Sequence, residues 1–172
     1  MRWKTMWALG RRGLEAAPVL MRRPAEDDAA RAAQIEAMYA SFRPVFGGVQ
    51  ELTPQHLADA MRRGDPLVVV DVRPAAERRI SRIPGAVTPG EAAGAAPPEV
   101  LRVAVCTLGV RSGAWAREQA EDGRWVANLA GGLLAWAHAG GDLLDADDLP
   151  TRRVHVYGPR WALLPADYEA VW

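Results

Sequence analysis

The sequence predicts an α/β fold built on a parallel sheet, and three observations carry that expectation. The run Leu67-Val68-Val69-Val70, bounded by Asp65-Pro66 and Asp71, is continuously apolar, as suits a strand covered on both faces. In the stretch from Val100, Leu101, Val103 and Val105 alternate with Arg102 and Ala104, and this second strand delivers Cys106 into a Gly-containing turn that opens a helix. Strand-like and helix-like segments then alternate along much of the chain, the pattern of a parallel sheet flanked by helices.

The 172 residues suffice for one domain with a substantial core and some peripheral elements. Basic and acidic side chains number 21 each, so no overall attraction to nucleic acid is expected. The chain has 1 cysteine, which rules out an internal disulfide and a resolving thiol in the same chain, and fits a reducing, cytoplasmic location.

Residues 1–24 carry Arg2, Lys4, Arg11, Arg12, Arg22 and Arg23 against Glu15 alone. Trp3, Met6, Trp7 and Leu14 can share a helical face, the make-up of an interfacial helix on anionic lipid. Gly10, Gly13 and Pro18 interrupt it, and a packing or partly disordered arm is the preferred reading. No continuous apolar stretch follows the basic start, so neither a secretory signal nor a membrane span is expected. The acidic cluster Glu26-Asp27-Asp28, followed by Ile35, Met38, Tyr39 and Phe42 at helical spacing, predicts a docking helix over 25–41. Pro44 and Gly47-Gly48 end it. The expected organisation is a basic arm and helix over 1–47, a main domain over 48–144 and a C-terminal extension over 145–172.

In the main domain, Val49 to Leu52 reads as a short strand, and Thr53-Pro54 as an N-cap followed by proline at the first helical position. His56, Leu57, Ala60 and Met61 carry that helix to Gly64; His56 has no second ligand at metal-binding spacing and belongs to the surface. Asp71 and Arg73 close the buried strand and Glu77 follows. Charged groups there suit a ligand crevice in an open sheet, or a structural brace, and the brace is preferred because such groups are seldom buried unpaired. Ile83-Pro84-Gly85-Ala86-Val87 reads as a turn into a short strand, and the stretch to Pro98 as a connection.

Beyond the cysteine, Thr107 to Val110 form the expected turn, with Arg111-Ser112-Gly113 leading into a helix over 114–120. Trp125 to Leu129 is another short strand, and Leu133, Leu134 and Trp136 start a helix ending near Gly140-Gly141. His138 on it has no evident partner. Asp142, Asp145, Asp147 and Asp148 mark a solvated linker, since they lack the glycine and terminal glutamate of a calcium hand. Arg153 to Tyr157 returns to β character. After Pro165 a last helical turn is expected to carry Tyr168, Val171 and Trp172, and with Trp161 these aromatics are expected to pack on the body or a partner subunit.

The chemistry centres on Cys106. A thiol beside a helix N-terminus or a cation ionises more readily than a free one, and Arg111 adds a permanent cation with a planar fork for an oxyanion. A lone cysteine is otherwise a small buried hydrophobe, and it is the strand, the glycine turn, the arginine and the helix together that favour a nucleophile.

Four features in order resemble the single-domain rhodanese-like proteins, sulfurtransferases that carry sulfur as a cysteine persulfide. They are Asp71-Val72-Arg73 with Glu77, the Ile83-Pro84-Gly85-Ala86 turn, the loop Cys106-x-x-Gly109-x-Arg111-Ser112, and Asn128-Leu129-Ala130-Gly131-Gly132 with Ala135-Trp136. The resemblance spans about residues 49–143 and implies a parallel five-stranded sheet with helices on both faces. It implies that Cys106 takes the outer sulfur of a donor such as thiosulfate and passes it to a thiol, a cyanide-like acceptor or a protein acceptor, with no cofactor or metal. Thr107, Leu108, Gly109, Val110, Arg111 and Ser112 would form the persulfide cradle, Arg111 would orient the donor or brace the loop, and Asp71, Arg73 and Glu77 would support it. Ser81-Arg82 replaces the usual Gly-His, a change expected at the entrance, and Leu108 stands where a small or basic residue is frequent. A non-catalytic binding or regulatory module of the same fold is an alternative. Phosphatases and arsenate reductases of related fold have five residues between cysteine and arginine, and this chain has four.

Overall fold

The structure, a computed structural model, describes residues 24–172. The expectations for the basic arm over 1–23 lie outside these residues. The chain begins with α1 (Asp28–Phe42), capped by the Asp27 carboxylate, which accepts from the Ala30 N–H at 2.8 Å. A 3₁₀ turn follows (Arg43–Phe46). Four strands, β1 (Gln50–Leu52), β2 (Leu67–Asp71), β3 (Leu101–Val105) and β4 (Val126–Leu129), form one parallel sheet in the order β1-β4-β3-β2. Glu51 lies opposite Asn128 and Asp71 opposite Val105, so the carboxyl ends of all four strands share one edge. The loops that leave that edge hold the candidate site, as is usual for an open α/β sheet.

The sheet has four strands where five were expected. The stretch after Ile83 pairs with β2 only at Val87, whose N–H donates to Val69 O at 2.9 Å and whose carbonyl accepts from the Asp71 N–H at 2.8 Å. Pro84-Gly85 before it and Pro89-Gly90 after it leave no room for a longer ladder.

Helix α2 (Pro54–Arg63) begins as its sequence dictates, with Thr53 Oγ1 accepting from the His56 N–H at 3.2 Å and Gly64 closing it in the left-handed conformation at φ 71°. His56 is exposed. Glu77 sits on α3 (Ala75–Ile80), a short helix the sequence reading did not assign. The connection to Pro98 contains α4 (Ala92–Ala95) and is held by Arg102. That side chain is buried mid-strand, and its guanidinium donates to the carbonyls of Ala96 at 2.8 Å and Val100 at 3.0 Å, with Ala92, Pro97 and Pro98 nearby.

The helix after the cysteine, α5 (Val110–Glu121), starts four residues earlier than expected, because Gly109 turns the chain at φ 98° and helical geometry follows at once. Arg111 and Ser112 are therefore in its first turn rather than in a leading loop. Helix α6 (Gly132–His138) completes the main body, and its last residue does find a partner, His138 Nε2 lying 2.7 Å from Leu163 O.

Packing follows the strand alternation. Val69, Val103 and Val105 join Ile35, Met38, Tyr39, Leu57, Leu133 and Trp136 in the main core, while Val70 and Ala104 belong to smaller clusters with Ala92 and Cys106, and with Ala116 and Val126. Full burial of each such aliphatic side chain is worth about 1.5–3 kcal/mol. The expected helical turn at the C-terminus is instead a strand. β5 (Arg153–His155) and β6 (Glu169–Val171) form a parallel ribbon in which Arg153 faces Glu169 and His155 faces Val171. Val154, Val156, Leu163 and Leu164 bury this tail in the main core, with Trp161 and Tyr168 packed on it, whereas Trp172 stays exposed. The aspartate segment is tied down as well: Arg82 bonds to Asp145 O and pairs with Asp148, and its backbone bridges Leu144.

Candidate functional site

Cys106 follows β3 directly, and the loop that carries it is shaped from behind by three other elements. The Leu133 N–H donates to Cys106 O at 2.9 Å and the Leu134 N–H to Thr107 O at 3.1 Å, so the start of α6 takes two loop carbonyls. Asn128 Nδ2, at the end of β4, donates to Gly109 O at 2.8 Å and to Tyr39 Oη at 3.0 Å. No described peptide bond is cis, and in a trans peptide the N–H opposes the C=O. Fixing the carbonyls of 106, 107 and 109 toward α6 and β4 therefore turns the N–H groups of Thr107, Leu108 and Val110 to the other side of the loop. The Gly109 N–H lies 3.1 Å from Cys106 Sγ.

Two glycines make this approach feasible. A Cβ on Gly109 would lie 2.7 Å from the Tyr39 ring and 3.0 Å from Leu129 O, and one on Gly132 would lie 2.3 Å from Cys106 O. Both also have positive φ, 98° and 57°.

The charged residues resolve into two pairs. Arg73 Nε and Nη2 grip the Asp71 carboxylate at 3.0 and 2.8 Å, both side chains being 0% exposed, and Arg73 Nη2 also reaches Ser81 O. Arg111 Nη1 and Nη2 reach Glu77 Oε1 and Oε2, each at 2.8 Å, in the bidentate geometry that guanidinium and carboxylate favour. Thr107 Oγ1 sits between them, accepting from Arg111 at 3.2 Å and donating to Glu77 at 3.3 Å. Burial alone would raise the Glu77 pKa and lower that of Arg111, but their mutual hydrogen bonds prevail. Glu77 is held below the usual carboxylate range, and the cation of Arg111 is reinforced, with Cys106 and Tyr157 contributing.

A carboxylate depressed in the fold adds stability that is present above its unfolded value, 4.5, and is lost as pH falls through its lower folded value. The stability gap between wild type and Glu77→Gln should therefore be full at neutral pH and narrow only below that value. Urea unfolding of both proteins across the acidic range measures this, and a gap independent of pH contradicts it.

The other loop residues fall on different sides. Leu108 is 2% exposed and belongs to the main core rather than to the face of the loop that solvent reaches. Val110 packs on the same core and Ser112 is buried with no partner for Oγ. Arg82 is held by the aspartate segment. Cys106 is itself only 2% exposed, packed with Val70, Val72 and Ala92, and three surface clefts of 340–550 Å³ open elsewhere. Among the described residues, no group of three or more His, Cys, Asp or Glu is placed to hold a metal ion, and no helix is long and apolar enough to cross a membrane.

The sequence places Tyr39 only on the docking face of the first helix and assigns no part in the site to it or to Asn128, which hold the loop from behind, nor to His155 and Tyr157. Tyr157 lies over Arg111, the guanidinium carbon 4.9 Å from the ring centroid, and His155 Nδ1 is 4.0 Å from Glu77 Oε2. Asn128 opens the segment Asn128-Leu129-Ala130-Gly131-Gly132, but only the fold brings it to Gly109.

A family model described as a rhodanese-like domain matches residues 53–139. Among solved structures, a thiosulfate sulfurtransferase from Pseudomonas aeruginosa is similar at 23% identity and TM-score 0.51, over 69% of this chain and 23% of that one. A rhodanese-like domain protein from Staphylococcus aureus is similar at 25% identity and TM-score 0.46, over 51% of this chain and 91% of that one. A protein of unknown function from Rhodopseudomonas palustris, described as a possible tyrosine phosphatase, is similar at 28% identity and TM-score 0.47, over 62% and 91%. No curated protein matches.

Proposed function

The chain belongs to the rhodanese-like domain family, and from that premise we propose that it is a sulfurtransferase carrying sulfane sulfur on Cys106. The observation that supports this reading most is the placement of the sulfur at the end of β3, with the Gly109 N–H 3.1 Å from Sγ and an ion-paired Arg111 in the helix turn behind it.

In the first step the Cys106 thiolate attacks the outer sulfur of the donor. A new S–S bond forms at Cys106 as the bond that held the transferred sulfur breaks: sulfite leaves from thiosulfate and a thiolate from an alkyl persulfide, by sulfur–sulfur cleavage, and the enolate of pyruvate leaves from mercaptopyruvate, by carbon–sulfur cleavage. In the second step a thiolate or cyanide-like acceptor attacks the outer sulfur and Cys106 leaves as thiolate. Sulfur moves without net oxidation of the protein. The loop N–H groups from Thr107 to Ser112 meet the negative charge of the persulfide, a preorganised electrostatic stabilisation. Arg111 acts as a brace, since both its terminal nitrogens are held by Glu77, and Asp71 with Arg73 supports the strand end. With 1 cysteine in the chain, turnover needs an external acceptor, and a reducing compartment such as the cytoplasm keeps Cys106 a thiol.

Burial of Cys106 to 2% exposure favours a second reading, a non-catalytic module. Phosphate-ester chemistry fits less well, because Arg111 has no free fork for a tetrahedral anion. Mass spectrometry after incubation with thiosulfate, mercaptopyruvate or an alkyl persulfide decides the matter. The expected result is a gain of one sulfur atom on the wild type and none on Cys106→Ser; no adduct with any donor leaves the module reading.

A further inference from the structure

Strand alternation in the C-terminal ribbon places two side chains at the loop from outside the matched family segment. Val154 and Val156 point into the core at 0% exposure, so His155 and Tyr157 emerge on the opposite face. There the ribbon packs against α3, with His155 Nδ1 4.0 Å from Glu77 and the Tyr157 ring over the guanidinium of Arg111. The ring is steadied by Trp161, edge-on at 5.4 Å and itself packed on the core, yet Tyr157 is 48% exposed and borders solvent.

We propose that Tyr157 is a positioning residue for Arg111, holding that cation on Glu77, and that it thereby tunes Cys106 toward sulfur donors of low charge, such as an alkyl persulfide, over dianionic thiosulfate. Arg111 can meet an incoming anion through its terminal nitrogens or over its face, while its third nitrogen, Nε, is buried without a partner and closed to solvent. Glu77 takes the first and Tyr157 covers the second. Arg73 gives no help, being locked on Asp71 at 0% exposure. A doubly charged donor meets a cation already neutralised, whereas a persulfide with a small organic group needs no such partner. The donor preference rests on the sulfurtransferase reading; the positioning role does not.

The test uses the full chain in wild-type, Tyr157→Phe, Tyr157→Leu and Tyr157→Gln forms, the last two removing the ring with different polarity. Cys106 is alkylated with neutral iodoacetamide and with anionic iodoacetate, reactions that require no sulfur transfer, and is then loaded with thiosulfate or an alkyl persulfide. Loss of the ring should raise the iodoacetate-to-iodoacetamide rate ratio about threefold, the factor a cation–π contact at a half-exposed site accounts for. It should shift the donor preference toward thiosulfate by a similar factor, and Tyr157→Phe should keep the wild-type ratio because it keeps the ring. A ringless variant that speeds both alkylations equally shows a simple packing residue and overturns the proposal. A shifted alkylation ratio with no donor loading Cys106 supports the positioning role and overturns the sulfur-transfer reading alone.

Discussion

Gly132→Ala should lose about 2–5 kcal/mol of unfolding free energy, combining the penalty of a left-handed residue with overpacking against an unyielding neighbour. The added Cβ would lie 2.3 Å from Cys106 O, 2.7 Å from Thr107 O and 2.8 Å from the Gly109 nitrogen, all backbone atoms of the candidate loop. Relief requires the loop and α6 to part, which breaks the bonds from Leu133 and Leu134 that orient the loop carbonyls. Gly64→Ala is the control. Its φ of 71° is as strained for alanine, but nothing lies within 4 Å of the new Cβ, so it should cost only about 1–2 kcal/mol. Urea unfolding of both variants gives the comparison, and equal losses would mean that the close approach at Gly132 is not a constraint. Cys106 loading should fall in Gly132→Ala even where the protein remains folded.

What the sequence discloses and what it hides divide along the range of the interactions concerned. The apolar run of β2, the Thr53-Pro54 start of α2 and the Gly64 stop are local devices, and each acts in the fold as its residues dictate. The turn after Cys106 is legible too, since Gly109 is where the chain must take positive φ. The start of α5 is not, because Val110, Ser112 and Gly113 are weak helix formers that outweigh Arg111, and the strand–turn geometry sets their conformation. β6 was read as a helical turn from the spacing of Tyr168 and Val171. Its identity comes from pairing with β5, a partner 16 residues earlier in register, which no local pattern encodes. Leu108, expected in the cradle where a small or basic residue is frequent, is instead buried in the main core, which its place in the loop does not reveal. Arg111 left two roles open because its partner Glu77 lies 34 residues away on a helix with no sequence signal. Tyr157 was hidden for the same reason: the register of the ribbon decides which face it takes.

The Glu77–Arg111 pair allows the sharpest separation of stability from chemistry. Both side chains are nearly buried, at 7% and 10% exposure, so removing either partner should destabilise by about 3–5 kcal/mol by leaving the other charge uncompensated. The effects on Cys106 should nevertheless have opposite signs. Glu77→Gln leaves an unneutralised cation beside the loop, and the rate with iodoacetate or thiosulfate should rise relative to that with neutral reagents. Arg111→Gln leaves a carboxylate there instead, and anionic reagents should lose ground by a comparable factor. Glu77→Leu/Arg111→Met, which removes both charges, should regain much of the lost stability, since apolar replacement of a buried pair is often neutral or favourable. The recovery stops short of complete because Thr107 Oγ1, bonded to both partners, is left buried and unpaired, at about 1–3 kcal/mol. Urea unfolding of the four proteins and paired alkylation rates test the scheme. Single variants that shift the anion preference in the same direction would show that Arg111 is not the charge Cys106 senses, and would move the electrostatics of the site to the loop N–H groups alone.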